Sequence, residues 1–248
     1  MRKLNNQTVY VECGIEGDLP YHSSHLFFPV FKVLHVPFVW KPPISNKFSI
    51  CFTSKHAVSA FKLNVLNEVP KNQWQNCYYV GAVGKNTAKA IRNELPDFLL
   101  KNSSEILYPK TENGLLPLLK QYNEILNVNH SLFIFTSIIG ISKKIVFEYK
   151  DHLNYSPDII SIYTLENLDD NLSKNFLNSI FSKVQTQNTN FVFKARSGQI
   201  LNSIIKLLMA FFNVTSPVNL PSFIFFSAWE KSAQKVLLEL NLIDRDIS

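Results

Sequence analysis

The sequence predicts an α/β protein, parallel sheets covered by helices and divided into two domains. Short apolar runs alternate with helical patterns along the chain. Turns rich in Ser, Thr and Gly stand where a run gives way to a helix, and two extended segments break the rhythm. With 248 residues, 46% of them hydrophobic and 18% charged, there is apolar material for one large or two modest cores.

The strand-like runs are Thr8 to Cys13, Ser49 to Phe52, Cys77 to Val83, Ile106 to Tyr108, Leu132 to Phe135, Ile159 to Tyr163, Phe191 to Phe193 and Ser222 to Phe226. Between them lie helical patterns. Ile200, Leu201, Ile204, Ile205 and Leu208 form one apolar stripe, and Ala233, Val236, Leu237 and Leu240 form another. The extended segments Val36 to Trp40, closed by Pro42-Pro43, and Ile160 to Leu165 lead promptly into no helix. They read as two crossings of a discontinuous boundary, which makes residues 38–163 an inserted domain and assembles the other from 1–37 and 164–248.

Net charge is +6 and the pI about 9.1, which suits an anionic partner, but the basic residues are scattered and no nucleic-acid arm stands out. The first residues carry positive charge with no apolar core behind them, and no apolar run reaches the roughly 20 residues of a membrane span. A cytosolic location is expected, with neither nucleic acid nor membrane as partner. Cys13, Cys51 and Cys77 lack metal or redox spacing and read as buried thiols. His22 and His25 have the spacing of one helix face, but no zinc motif accompanies them.

Two strand-to-helix turns carry the most chemistry: Phe52-Thr53-Ser54-Lys55-His56-Ala57-Val58 and Val83-Gly84-Lys85-Asn86-Thr87-Ala88. Such turns aim hydroxyls and the unpaired N–H groups of a helix's first turn at an anion. The second is not a P-loop, because Tyr79 occupies the first glycine position and Asn86 replaces the magnesium-binding hydroxyl. Weak echoes recur at Phe135-Thr136-Ser137-x-x-Gly140, at Phe193 to Gly198 and at Ser232-Ala233. They are either the shared chemistry of such turns or the mark of two related halves facing a common cleft.

Taken in order, these pieces resemble the uroporphyrinogen-III synthase family. Phe52-Thr53-Ser54-x-x-Ala57-Val58 is similar to its F-T-S-P-x-A-V turn, Val83-Gly84-x-x-Thr87-Ala88 to its V-G-x-x-T-A turn, and the segment ending in Tyr163-Thr164 to the strand that leaves its inserted domain. The resemblance implies two similar domains, each a parallel sheet flanked by helices, joined by two antiparallel linker strands. It implies a monomer that cyclises hydroxymethylbilane, an octacarboxylate, with loss of water and inversion of ring D. The resemblance further implies that no cofactor or metal takes part and that hydroxymethylbilane synthase is a candidate partner for substrate transfer.

Its substrate-binding residues would be Thr53, Ser54, Lys55, His56, Gly84, Lys85, Asn86 and Thr87, with Lys194, Arg196, Ser197, Lys231 and Ser232 on the second wall. Tyr163 would be the catalytic proton donor, or else a buried aromatic that stiffens the linker. Departures cluster in the second wall: Lys194-Ala195-Arg196 replaces a T-S-P, Trp229-Glu230-Lys231 replaces a G-P-x turn, and the chain leaves no room for a last strand and helix. They keep two alternatives open, a catalytically silent synthase-like module that binds a tetrapyrrole or a protein, and an unrelated two-domain α/β binding protein.

Overall fold

In a computed structural model, residues 7–100, 105–138, 141–183 and 189–244 are described. Sixteen elements follow one another among them: β1 (Gln7–Ile15), β2 (Leu26–His35), β3 (Phe48–Phe52), α1 (Lys55–Phe61), β4 (Cys77–Ala82), α2 (Lys85–Glu94), α3 (Asp97–Leu100), α4 (Leu115–Ile125), β5 (Ser131–Ser137), α5 (Ile141–Tyr149), β6 (Ser156–Asn167), α6 (Asp170–Lys183), β7 (Thr189–Ala195), α7 (Gly198–Phe211), β8 (Ile224–Ala228) and α8 (Lys231–Glu239). Contacts group the chain into two compact units, one of Met1–Lys32 with Glu166–Ser248 and one of Val33–Leu165. Both crossings between them fall inside strands, β2 and β6.

In the 33–165 unit the strand order is β4-β3-β5-β6, and each neighbouring pair is parallel. The core is aromatic. Trp40 touches Phe48, Phe61, Trp74, Phe133 and Phe135 at ring separations of 5.0 to 6.4 Å. Phe48, Phe52, Phe61 and Phe135 are fully buried. Burying one such side chain contributes about 1.5–3 kcal/mol, so this cluster anchors the strands whose ends carry the candidate site.

In the other unit the order is β2-β1-β7-β8, again parallel. The stripe Ile200, Leu201, Ile204, Ile205 and Leu208 is buried on α7, and Ala233, Val236 and Leu237 are buried on α8. Helical spacing places both stripes on the core face.

Three expectations need correction. The sequence predicts no strand at residues 26–35, where β2 runs. Pro29 is tolerated inside β2 because the ladder bulges there, Gly14 facing Pro29 and Ile15 facing Phe31. The expected extended segment Val36 to Trp40 lies beyond β2 and holds no strand, because Pro37 and then Pro42-Pro43 have no N–H for a ladder. Instead the linkers pair through Val36 N–H to the Ile162 carbonyl and Leu168 N–H to the Val30 carbonyl, at 3.0 and 3.1 Å. The paired numbers run in opposite directions, so the linker strands are antiparallel. Ile106 to Tyr108 makes only a bridge from Leu107 to Gly81.

Candidate functional site

In the 33–165 unit the first turn builds a cluster of hydroxyls. Ser54 leaves β3 in extended conformation and caps α1, its Oγ accepting the Ala57 N–H at 3.1 Å. A cap of this kind stabilises a helix by about 1 kcal/mol. The Thr53 N–H donates to the Phe135 carbonyl at 3.1 Å, and its Oγ1 donates to Thr136 Oγ1 at 2.9 Å. Tyr163 stands opposite Ser137 in the β5–β6 ladder, with its hydroxyl 2.9 Å from Ser54 Oγ.

A second hydrogen bond joins the Tyr163 hydroxyl to Ser137. Five hydroxyls therefore gather where β3 and β5 end, Thr53, Ser54, Thr136, Ser137 and Tyr163. The Tyr163 ring is buried, and burial pushes its pKa up while the Ser54 and Ser137 hydrogen bonds oppose the shift. It remains a neutral phenol at any physiological pH. The His56 ring lies 6.1 Å from that of Tyr163, while Lys55 is exposed at the helix start. In the sequence Thr136-Ser137 is visible as an echo with no role attached. Gly140, from the same echo, lies outside the described residues.

The second turn is shaped by close packing. Gly84, two residues beyond β4, is the N-cap of α2, and the Asn113 side chain fills the space where a Cβ would stand. The Gly114 N–H donates to the Val83 carbonyl at 2.8 Å and closes the turn from the same side. Lys85 and Asn86 are exposed on the first turn of α2, where the helix dipole favours anions, whereas Thr87 is buried. Asn113 carries no signal in the sequence, because only the fold brings it to Gly84.

The other unit has charges and rings at the corresponding strand ends. Ser197 Oγ caps α7 by accepting the Ile200 N–H at 3.2 Å, and Ser232 Oγ accepts the Gly198 N–H at 3.2 Å. A Cβ on Gly198 would stand 2.7 Å from the Ser232 carbonyl oxygen, so glycine permits this approach of α7 to α8. Both serine hydroxyls are thus engaged at helix starts. Lys194 is buried, its Nζ 4.6 Å from the Tyr10 ring centre and 5.7 Å from that of Trp229. Arg196 Cζ lies 5.3 Å from the ring centres of both Tyr21 and Trp229, while Lys231 is exposed.

Beneath this cluster sits Glu12, buried in β1 opposite Lys194. The connection from β1 to the parallel β2 is only residues 16–25 and contains no helix, although parallel strands usually need a longer crossover. Glu12 holds it. Its carboxylate accepts the N–H groups of Tyr21 and His22, at 2.6 and 3.1 Å, and pairs with His25 Nδ1 at 2.6 Å. Burial alone would raise its pKa, but the Tyr21, His22 and His25 hydrogen bonds and the His25 charge outweigh that and leave it below the ordinary carboxylate value.

His22 and His25, which have the spacing of one helix face, lie in a turn instead, their rings meeting at 4.7 Å. A lone acid inside the apolar run Thr8 to Cys13 is the available signal for Glu12. Among the described residues no group of three or more His, Cys, Asp or Glu is placed to hold a metal, and no helix is long and apolar enough to cross a membrane.

No protein-family model matches the sequence, and no curated protein matches it. The structure is similar to the crystal structure of uroporphyrinogen-III synthetase from Helicobacter pylori 26695, with a TM-score of 0.56 and 16% identity over 96% of this chain and 91% of that one. The chain has the uroporphyrinogen-III synthase fold. A mutant uroporphyrinogen III synthase from the extremely thermophilic bacterium Thermus thermophilus aligns more loosely, at a TM-score of 0.48 and 10% identity over 97% and 94% of the two chains. At such identities the likeness carries the synthase fold, and any activity must be argued from the side chains.

Proposed function

We propose that the chain is a uroporphyrinogen-III synthase that cyclises hydroxymethylbilane. The observation that carries this reading is the Ser54–Tyr163–Ser137 hydroxyl cluster, standing at strand ends in a chain of that fold. In the reaction the carbon–oxygen bond of the terminal hydroxymethyl group breaks, pushed by the pyrrole nitrogen. The Tyr163 phenol gives its proton to the departing oxygen, which leaves as water. Ring closure through a spiro intermediate then inverts ring D, and the net change is loss of water without any cofactor.

Ser54 suits Tyr163 as a partner. Its Oγ already accepts the Ala57 N–H, which fixes the serine, and its own proton can turn to the phenol oxygen and free the phenol proton for the substrate. Within the 33–165 unit, Lys55, His56, Lys85, Asn86 and the first-turn N–H groups of α1 and α2 supply donors for carboxylates. On this reading the chain works as a monomer fed by hydroxymethylbilane synthase.

The buried Lys194 and the capping roles of Ser197 and Ser232 favour a second reading, a synthase-like module that binds a tetrapyrrole without turning it over. Incubation with freshly generated hydroxymethylbilane separates the two. Type III uroporphyrinogen formed faster than spontaneous closure is expected, and type I alone at the spontaneous rate would leave the silent module.

A further inference from the structure

We propose that Tyr21, Arg196, Trp229 and Glu230 form a subsite for a single pyrrole ring and its carboxylate arm, a refinement that rests on the synthase reading. These residues and His22 line a void of about 460 Å³ within the unit built from both chain ends. That volume lies within the range of about 300–1,000 Å³ typical of small-molecule sites and suits one substituted heterocycle. Tyr21 is 71% exposed, so its ring is open to a guest.

Three features select the guest. The Arg196 guanidinium rests 5.3 Å from each of two ring centres, yet among the described residues its N–H groups make no hydrogen bond or ion pair. Two aromatic neighbours hold the fork in place and leave its donors for a carboxylate. The Trp229 and Tyr21 rings, 5.7 Å apart and steeply inclined at 66°, offer apolar walls to a flat ring. Glu230, which lies close enough to feel the Arg196 charge and whose side chain makes no cap to α8, supplies an acceptor for a ring N–H. A pyrrole with an acidic arm satisfies all three.

The subsite is built before the guest arrives. Glu12 fixes the backbone of Tyr21 and His22, and the Trp229 N–H donates to the Ala195 carbonyl at 3.2 Å. Both aromatic walls are therefore fixed through their backbones, which lowers the ordering cost of binding. A pyrrole held here also gives Trp229 a purpose, where a glycine turn is expected from the family pattern.

The test is calorimetric titration of the full chain with a pyrrole bearing one acetate and one propionate arm. Saturable binding is expected, weakened about tenfold or more in Arg196→Gln and also in Arg196→Lys, which keeps the charge but loses the fork. Tryptophan emission should change on binding in the native chain and not in Trp229→Phe, since Trp40 and Trp74 pack in the other unit's core. A benzene ring with the same arms lacks the N–H and should bind more weakly.

Absence of saturable binding, equal affinity in folded Arg196 variants, or equal affinity for the benzene analogue overturns the proposal. Type III product without pyrrole binding overturns the subsite and leaves the synthase reading standing. Pyrrole binding through Arg196 without type III product supports the subsite and removes the synthase reading.

Discussion

The two units end their strands in different chemistry on the same scaffold. In the 33–165 unit, β3, β5 and β6 bring together five neutral hydroxyls, four of them from the Thr53-Ser54 and Thr136-Ser137 pairs. In the other unit, the strand ends carry Glu12, Lys194 and Arg196 beneath Tyr21, His22 and Trp229. The difference traces to the connection after the first strand of each. β3 runs straight into a capped helix, so its turn residues stay near the strand ends, whereas β1 is followed by a short helix-free loop that a buried carboxylate must hold down. The proposed function assigns proton chemistry to the first edge and anion capture to the second.

Replacing Tyr163 by Phe should have the largest effect. Loss of a general acid costs about 10²–10⁴-fold in turnover, read as a fall in kcat with KM little changed. Because its pKa is raised above 10.0, native activity should keep its acid form through neutral pH and decline only on an alkaline limb that Tyr163→Phe lacks. Unchanged turnover would leave Tyr163 as the buried aromatic that stiffens its linker.

Glu12→Gln tests the other edge. Turning one oxygen of this buried carboxylate, which accepts three hydrogen bonds, into an amide donor should destabilise the chain by about 1–3 kcal/mol, measured by urea unfolding. The sign of its pH dependence follows from a pKa held below the reference 4.5. The Glu12 contribution is present above that value and is lost as pH falls through the lower folded value, so the gap between native and variant should close in acid. A gap that persists at the lowest pH would show that the charge is not what holds the loop.

The two serine caps sharpen the contrast further. Ser54→Ala and Ser197→Ala should each cost about 1 kcal/mol of stability, but only Ser54→Ala should also lower kcat, because only Ser54 touches Tyr163. Equal kinetic losses would mean that both act through the fold alone.

The smallest effect concerns the thiols. Burial raises the pKa of Cys13, Cys51 and Cys77, the last to about 12, so a thiol reagent should label the native chain slowly at neutral pH. In Glu12→Gln, Cys13 should become the first to react, since it adjoins the loosened edge. Faster reaction of Cys51 or Cys77 would put the weak region in the other unit.

Much of this arrangement is legible in the sequence where local chemistry decides. The apolar stripes of α7 and α8 follow from helical spacing, the turn at Thr53-Ser54 from its residues, and Tyr163 lies on the strand-like run that begins at Ile159. β2 is hidden by Pro29, because the bulge that accommodates a proline depends on the neighbouring strand. Asn113 behind Gly84, Thr136 beside Thr53 and the ring cluster around Arg196 are contacts between residues far apart in the chain. Such contacts leave no periodic trace. Glu12 lies in plain view as a lone acid in a strand, but its partners come from a loop whose shape only the fold defines.

Product isomers from freshly made hydroxymethylbilane, resolved over time beside an enzyme-free control, test the central claim most directly. The native chain should yield type III uroporphyrinogen above the spontaneous rate, with the excess nearly abolished in Tyr163→Phe and restored at high substrate in Arg196→Gln. Type I product alone from the native chain, at the rate of the control, would contradict it.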